Sequence, residues 1–204
     1  IIASVPFIFS YPAFSYDLFN YILTAKVVFV HKENPYITMP IEIPKEPALA
    51  YTRASNKVAL YGPTWIVATF IPHILGGSSV WGTILAFKIF NAGLFFVFLY
   101  LVYRITGNIQ NVLFFGFNPL VLTEVLMSSH NDIFMMLFAV AAVVCFSYKK
   151  FQRKMYGIAL IIASLFVKGA TVVLMPLIFL KHSDKEKLCI YSFWLMMGIF
   201  LLTP

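Results

Sequence analysis

Asp17 stands in the stretch Ser15-Tyr16-Asp17-Leu18-Phe19-Asn20-Tyr21, near the start of a long segment, 11–62, that is too polar to cross a membrane and too long to be a simple connection. A carboxylate there can take a proton from a hydroxyl, or it can be a solvated residue in the first turn of a helix, where the helix dipole favours its ionised form. His130-Asn131-Asp132 forms a second polar cluster between two apolar runs. These side chains could orient a sugar or help to position Asp17; equally, Asn131 or Asp132 before Ile133 suits a helix start. One histidine and one aspartate two residues apart do not complete a coordination shell, so the sequence supports no metal site and calls for no cofactor.

Three cations extend the set. Lys168 follows the apolar run 158–167 and precedes another that ends at 174. A lysine so placed loses its charge, snorkels to the interface, or pairs with an anion, for which a phosphate is a fitting partner. Lys88 carries the same readings inside a long apolar run, and Arg53 offers a further cation to an anionic donor. Glu124, a helical turn or more before His130, is placed to pair with either lysine.

The elements that must hold these groups follow from composition. Hydrophobic residues make up 61% of the chain and charged residues 11%, with a mean hydropathy of +0.87. Such a chain lies outside the range of soluble domains and predicts an all-α, polytopic transmembrane bundle, because about 20 apolar residues in a helix are needed to cross the hydrocarbon. The formal charge of +7 sits between apolar runs without any groove-reading motif, so it signals topology and excludes a nucleic-acid partner. Cys145 and Cys189 lie in apolar runs and make no disulfide framework.

Along the chain, Leu18, Ile22, Ala25 and Phe29 fall at helical spacing and predict an amphipathic helix over 17–30, lying in the interface and capped by Ser15. Residues 41–47 read as irregular loop, 51–61 as a second short helix, and 63–75 as a re-entrant or interfacial piece. Spans are expected at 79–103, 109–127 and 133–148, with a broken hairpin over 155–180 turning at Lys168-Gly169 and a further outward leg at 188–202. The whole, 1–204, is expected to be one domain: 1–10 as the end of a first span, 11–78 as an external loop, and 79–204 as spans. Its abrupt ends suggest a fragment, with the first span mostly missing and later spans absent. If 63–75 does not cross, Arg104, the cluster Lys149-Lys150-Arg153-Lys154 and the group Lys181-Lys185-Lys187 all fall on the cytoplasmic side, with Asp17 and Asp132 together outside.

The order Asp17-Leu18-Phe19, Glu33-Asn34-Pro35-Tyr36, Tyr61-Gly62-Pro63, Asn118-Pro119-Leu120-Val121-Leu122, His130-Asn131-Asp132 and Lys168 resembles the GT-C superfamily of membrane glycosyltransferases, and within it the polyprenol-phosphate-mannose-dependent mannosyltransferases. The resemblance implies a multi-span helical fold with a catalytic acid in the first external loop, a second acid between later spans, and a lipid-phosphate sugar as donor. Residue by residue it gives Asp17 the first role, Asp132 the second, and Lys168 a place near the donor phosphate, although Gly169 follows where many members carry proline. It implies transfer of a hexose, mannose by family, to a hydroxyl of a glycan or lipid-linked glycan on the non-cytoplasmic face. Configuration would invert as Asp17 deprotonates the acceptor. Polyprenyl phosphate leaves as a stable anion, so a nearby cation suffices and no general acid is required. A transporter or lipid flippase without transferase activity, and an inert membrane scaffold, are the competing readings; the transporter predicts inverted repeats and a midplane site.

Overall fold

The computed structural model describes residues 5–174 other than 13 and 44. Helix is the only regular structure among them, in the order α1 (Val5–Phe9), α2 (Asp17–Phe29), α3 (Pro63–Ala68), α4 (Phe70–Gly76), α5 (Val80–Thr106), α6 (Ile109–Gly116), α7 (Pro119–Val121), α8 (Asp132–Phe146) and α9 (Phe151–Leu165). Tight three-residue-per-turn segments occupy Pro40–Glu42, Pro47–Tyr51 and Gly169–Leu174.

α5 has clear physical limits. The Ser79 hydroxyl accepts from the Gly82 N–H at 3.2 Å, and Gly107, at φ 62°, stops the helix. Its most apolar stretch of 18 residues has a mean hydropathy of 2.0, and at 1.5 Å per residue its 27 residues reach roughly 40 Å, enough to cross a bilayer.

The sequence 109–127, expected as one span, is broken. Pro119 lacks an N–H and disfavours a helical conformation at Asn118, so α6 ends and the chain bends by 56° before continuing through Met127. Asn118 restarts the helix, its Oδ1 accepting from the Leu120 N–H at 2.9 Å. The restarted helix widens over Leu122–Met127, where Ser128 N–H reaches back five residues to the Thr123 carbonyl at 2.8 Å.

α2 also differs from the expected amphipathic interfacial helix. Leu18, Phe19, Tyr21, Ile22, Leu23, Thr24, Ala25 and Val27 are all buried, so the helix is enclosed on every side. It forms the centre of the largest apolar cluster, with Ala48, Trp65, Ile84, Phe87 and Val167 around it. A second cluster joins α5 to the widened turn and α8 through Phe95, Phe98, Leu126 and Ile133, and a third joins α8 to α9.

The expected helix at 51–61 does not form. Thr52 donates to Asn20 Oδ1 and accepts from the Ala54 N–H, and these bonds hold the irregular chain that follows against α2. α9 begins at Phe151, so Arg153 and Lys154 lie within a helix and not in the preceding connection. The end of the expected broken hairpin, the group Lys181-Lys185-Lys187, Cys189 and the leg 188–202 lie outside the described residues.

The far end of α2 is tied down by charge. Glu46 pairs with Lys26, and its other oxygen lies 3.2 Å from His31 Nε2. Burial alone would raise the Glu46 carboxyl, but Lys26 and His31 hold it below the usual carboxylate range. A lowered carboxylate contributes stability that is complete above its unfolded value, roughly pH 4, and is lost as pH falls through the folded value. The difference in thermal unfolding between the native chain and Glu46→Gln should therefore be steady near neutrality and shrink on acidification; a difference that persists unchanged at pH 3 would refute this tie.

Candidate active site

Three segments meet at one half-exposed mouth. Asp17 is the first residue of α2, its backbone N–H bonded to the Ser15 hydroxyl at 3.2 Å. Tyr16 occupies the cap position, so the expected cap, Ser15, acts from one residue further back. His130 closes the connection between the widened turn and α8, with its backbone N–H on the Glu124 carbonyl at 2.9 Å. Ser129 just before it takes a left-handed φ of 57°, a strained conformation costing on the order of 1 kcal/mol that turns His130 toward α2.

The imidazole of His130 is the meeting point of three carboxylates. Its Nδ1 lies 3.5 Å from Asp17 Oδ2 and 3.7 Å from Asp132 Oδ2, while its Nε2 lies 3.1 Å from Glu124 Oε2. Asp132 in turn accepts from Lys168 Nζ at 2.9 Å. The carboxylates and Lys168 keep between 36% and 45% of their side-chain surface, whereas His130 keeps 15%. The ring is thus held inside, and the acids face outward where a substrate can reach them. Among the described residues no three His, Cys, Asp or Glu side chains are arranged to hold a metal ion.

Lys168 reaches Asp132 because its turn is stitched to the first loop. Gly62 N–H bonds to the Val167 carbonyl at 3.2 Å and Thr64 N–H to the Phe166 carbonyl at 3.1 Å. The other end of that loop is fixed by Asn34-Pro35-Tyr36: Asn34 Oδ1 accepts from the Tyr36 N–H at 3.0 Å, and the Tyr36 hydroxyl donates to the Tyr61 carbonyl at 3.0 Å.

Asp17, His130, Asp132 and Lys168 are therefore brought together. Asn131 lies beneath them, fully buried, its N–H on the Tyr21 hydroxyl at 3.3 Å and its side-chain amide without a protein partner among the described residues. Arg53 stands beside the mouth, its guanidinium 4.4 Å from the centre of the Tyr16 ring and its Nη2 3.3 Å from the Tyr16 hydroxyl.

Two expectations change. Glu124 pairs with His130 and with neither lysine, because the widened turn carries it round to the imidazole. Lys88 neither snorkels nor faces the mouth: it is 2% exposed and donates to the carbonyls of Phe7, Ser10 and Met127. Its three N–H groups satisfy the open carbonyls at the ends of α1 and of the widened turn, leaving none for a phosphate.

Tyr21 and Tyr61 join the site without having been expected there. The Tyr21 ring packs edge-on against Tyr61 at 4.7 Å and against Trp65 at 5.0 Å. Burial, then the neighbouring Tyr61 and the charge of Asp17, push the Tyr21 phenol well above its ordinary range. The sequence did hold a signal: Tyr21 lies four residues after Asp17 and so on the same helix face.

The class of protein is a glycosyltransferase. Over residues 1–183 the chain matches the family described as alpha-(1->6)-mannopyranosyltransferase, N-terminal domain, and it belongs to that family. No curated protein and no solved structure matched it. Membership supports mannosyl transfer as the reaction class, and α5 supplies an apolar helix long enough for a membrane enzyme.

Proposed function

We propose that this chain transfers mannose from a polyprenyl-phosphate donor to an acceptor hydroxyl, with inversion, at the non-cytoplasmic face of a multi-span helical bundle. The family's description suggests an α-(1→6) linkage and hence a mannose-bearing glycan or lipid-linked glycan as acceptor. One observation carries the reading: Asp17 and Asp132, far apart in sequence, flank the same imidazole at a half-exposed mouth.

In the proposed reaction the acceptor oxygen bonds to the anomeric carbon as the bond from that carbon to the phosphate oxygen breaks. The acceptor proton passes to Asp17, and the polyprenyl phosphate departs with the electron pair. Asp132 is held by Lys168 and serves orientation; His130 spaces the two acids, and Asn131 fixes the backbone beneath them. Lys168 offers its exposed side to the donor phosphate, and Arg53 guards the opposite edge. Lys88 has no part in donor binding.

The site lies where α2 and α8 begin, and the basic residues Lys149 and Lys150 lie past the far end of α8, which favours the acids outside and the cluster inside. Besides α5, the bent pair through Ile109–Gly116 and Pro119–Met127 could make one further crossing.

The test is transfer of radiolabelled mannose from a polyprenyl-phosphate donor in isolated membranes containing the full chain; absence of any transfer with several mannosyl acceptors would reject the reading. Within it, Lys168→Ala should raise the donor KM about tenfold, in line with loss of a charge-assisted contact to phosphate. An unchanged KM would assign Lys168 to holding Asp132 alone.

A further inference from the structure

Asn91 lies midway along α5 and is fully buried. A carboxamide inside an apolar span is costly unless it is bonded, so its partner is informative. Its Nδ2 donates to the Ser129 carbonyl at 2.7 Å. Three residues earlier on the same helix face, Lys88 donates to the Met127 carbonyl at 2.9 Å. Helix α5 thus grips two carbonyls of the connection that carries His130.

That connection does not hold its own shape. Ser129 has a left-handed φ of 57°, which a residue with a Cβ keeps only under constraint. The hydroxyls of Ser128 and Ser129 and the side-chain amide of Asn131 are buried without a protein partner among the described residues, so they add no tie within the loop. Two side chains hold it from outside, one on each side of His130: Asn91 on the Ser129 carbonyl, and the Tyr21 hydroxyl on the Asn131 N–H at 3.3 Å. The Asn91 bond is the shorter. It also acts on the peptide that joins Ser129 to His130, a rigid plane whose other end, the His130 N–H, is bonded to the Glu124 carbonyl at 2.9 Å. Pinned at its oxygen and at its nitrogen, this plane sets the direction in which the imidazole leaves the backbone.

We propose that Asn91 is a positioning residue for mannosyl transfer: from the middle of α5 it holds the Ser129 carbonyl and so keeps the left-handed turn that presents His130 to Asp17 and Asp132. This rests on the reading of that mouth as the active site. Asn91 itself touches none of the three acids or Lys168; its effect passes through one peptide bond. Leucine, of similar size and without an N–H, removes the hold and leaves α5 apolar.

The experiment compares the native chain, Asn91→Leu, Asn91→Leu with Ser129→Gly, and Asp17→Asn in membranes, using polyprenyl-phosphate mannose as the probe, with hydrogen–deuterium exchange over residues 128–131 measured in detergent. Asn91→Leu should lower kcat about tenfold with the donor KM within about twofold, and exchange over 128–131 should quicken about tenfold. Adding Ser129→Gly should recover at least threefold of the lost kcat, because glycine keeps a left-handed φ without the Asn91 bond. A general packing defect in α5 would gain nothing from that glycine, so a loss of kcat that Ser129→Gly leaves in place overturns the positioning role. Native kcat and native exchange in Asn91→Leu, with Asp17→Asn inactive, overturn the role of Asn91 alone. Turnover in Asp17→Asn overturns the active-site reading and this role together.

Discussion

Replacing Asp17 by asparagine should lower mannosyl transfer by about a thousandfold, within the range expected when a general base is lost, while the chain still inserts and accumulates normally. The two side chains have nearly the same shape, and the tie between the Asp17 backbone N–H and Ser15 does not involve the carboxylate. Helix α2 is held by Leu18, Phe19, Ile22 and their neighbours, so it has no reason to move. What changes is the ability to take up a proton. His130 cannot substitute, since its Nε2 is engaged by Glu124 and its Nδ1 faces the two aspartates. Neither can Asp132, whose Oδ1 is bonded to Lys168 and whose Oδ2 faces His130. Initial rates of radiolabelled transfer, normalised to the amount of protein in the membrane, provide the check. Turnover within tenfold of the native chain would show that another group removes the acceptor proton.

The second large effect is expected at Gly62. A Cβ added there would lie 1.9 Å from the Phe166 carbonyl oxygen and 2.5 Å from its carbon, so the obstruction is backbone and cannot rotate away. The φ of Gly62 is −70°, which any residue can adopt. Close approach, not conformational freedom, is what requires glycine at this position. Gly62→Ala must push the Lys168 turn away from the first loop, breaking the bonds from Gly62 to Val167 and from Thr64 to Phe166. A cost on the order of 2–3 kcal/mol is expected, as for overpacking a tight contact. Thermal unfolding should fall by several degrees and the donor KM should rise, because Lys168 moves with the turn. A native unfolding temperature and native KM in this variant would mean that the two segments are not joined as described.

The sequence was informative wherever one residue type dictates local geometry. Ser79 and Gly107 mark the ends of α5 within a few residues of the expected span, and Asn118-Pro119 was in plain view as a break, although length and apolarity suggested one continuous crossing. The interfacial reading of α2 failed because it followed Leu18, Ile22, Ala25 and Phe29 and passed over Phe19, Tyr21, Leu23 and Val27, which make the remaining faces apolar too. At the site, the acids and Lys168 could be picked out because ionisable groups are scarce in such a chain. Their pairing could not. The turn of Leu122–Met127 is wider than a regular helix, so counting residues from Glu124 at the usual spacing aims it away from His130. Tyr61 was hidden for another reason: in a chain with 11 tyrosines, only the path of the loop brings this one against the Tyr21 ring.

The bonds from Lys88 to the carbonyls of Phe7, Ser10 and Met127 also bear on biogenesis. A cation in the middle of an apolar helix is costly until all its partners are present. The last of them, Met127, emerges from the ribosome well after α5 itself. The Lys88 ammonium therefore stays hydrated during synthesis until the chain past residue 127 arrives. Burial of this side chain is then a late checkpoint, closed only when three separate parts of the chain have met.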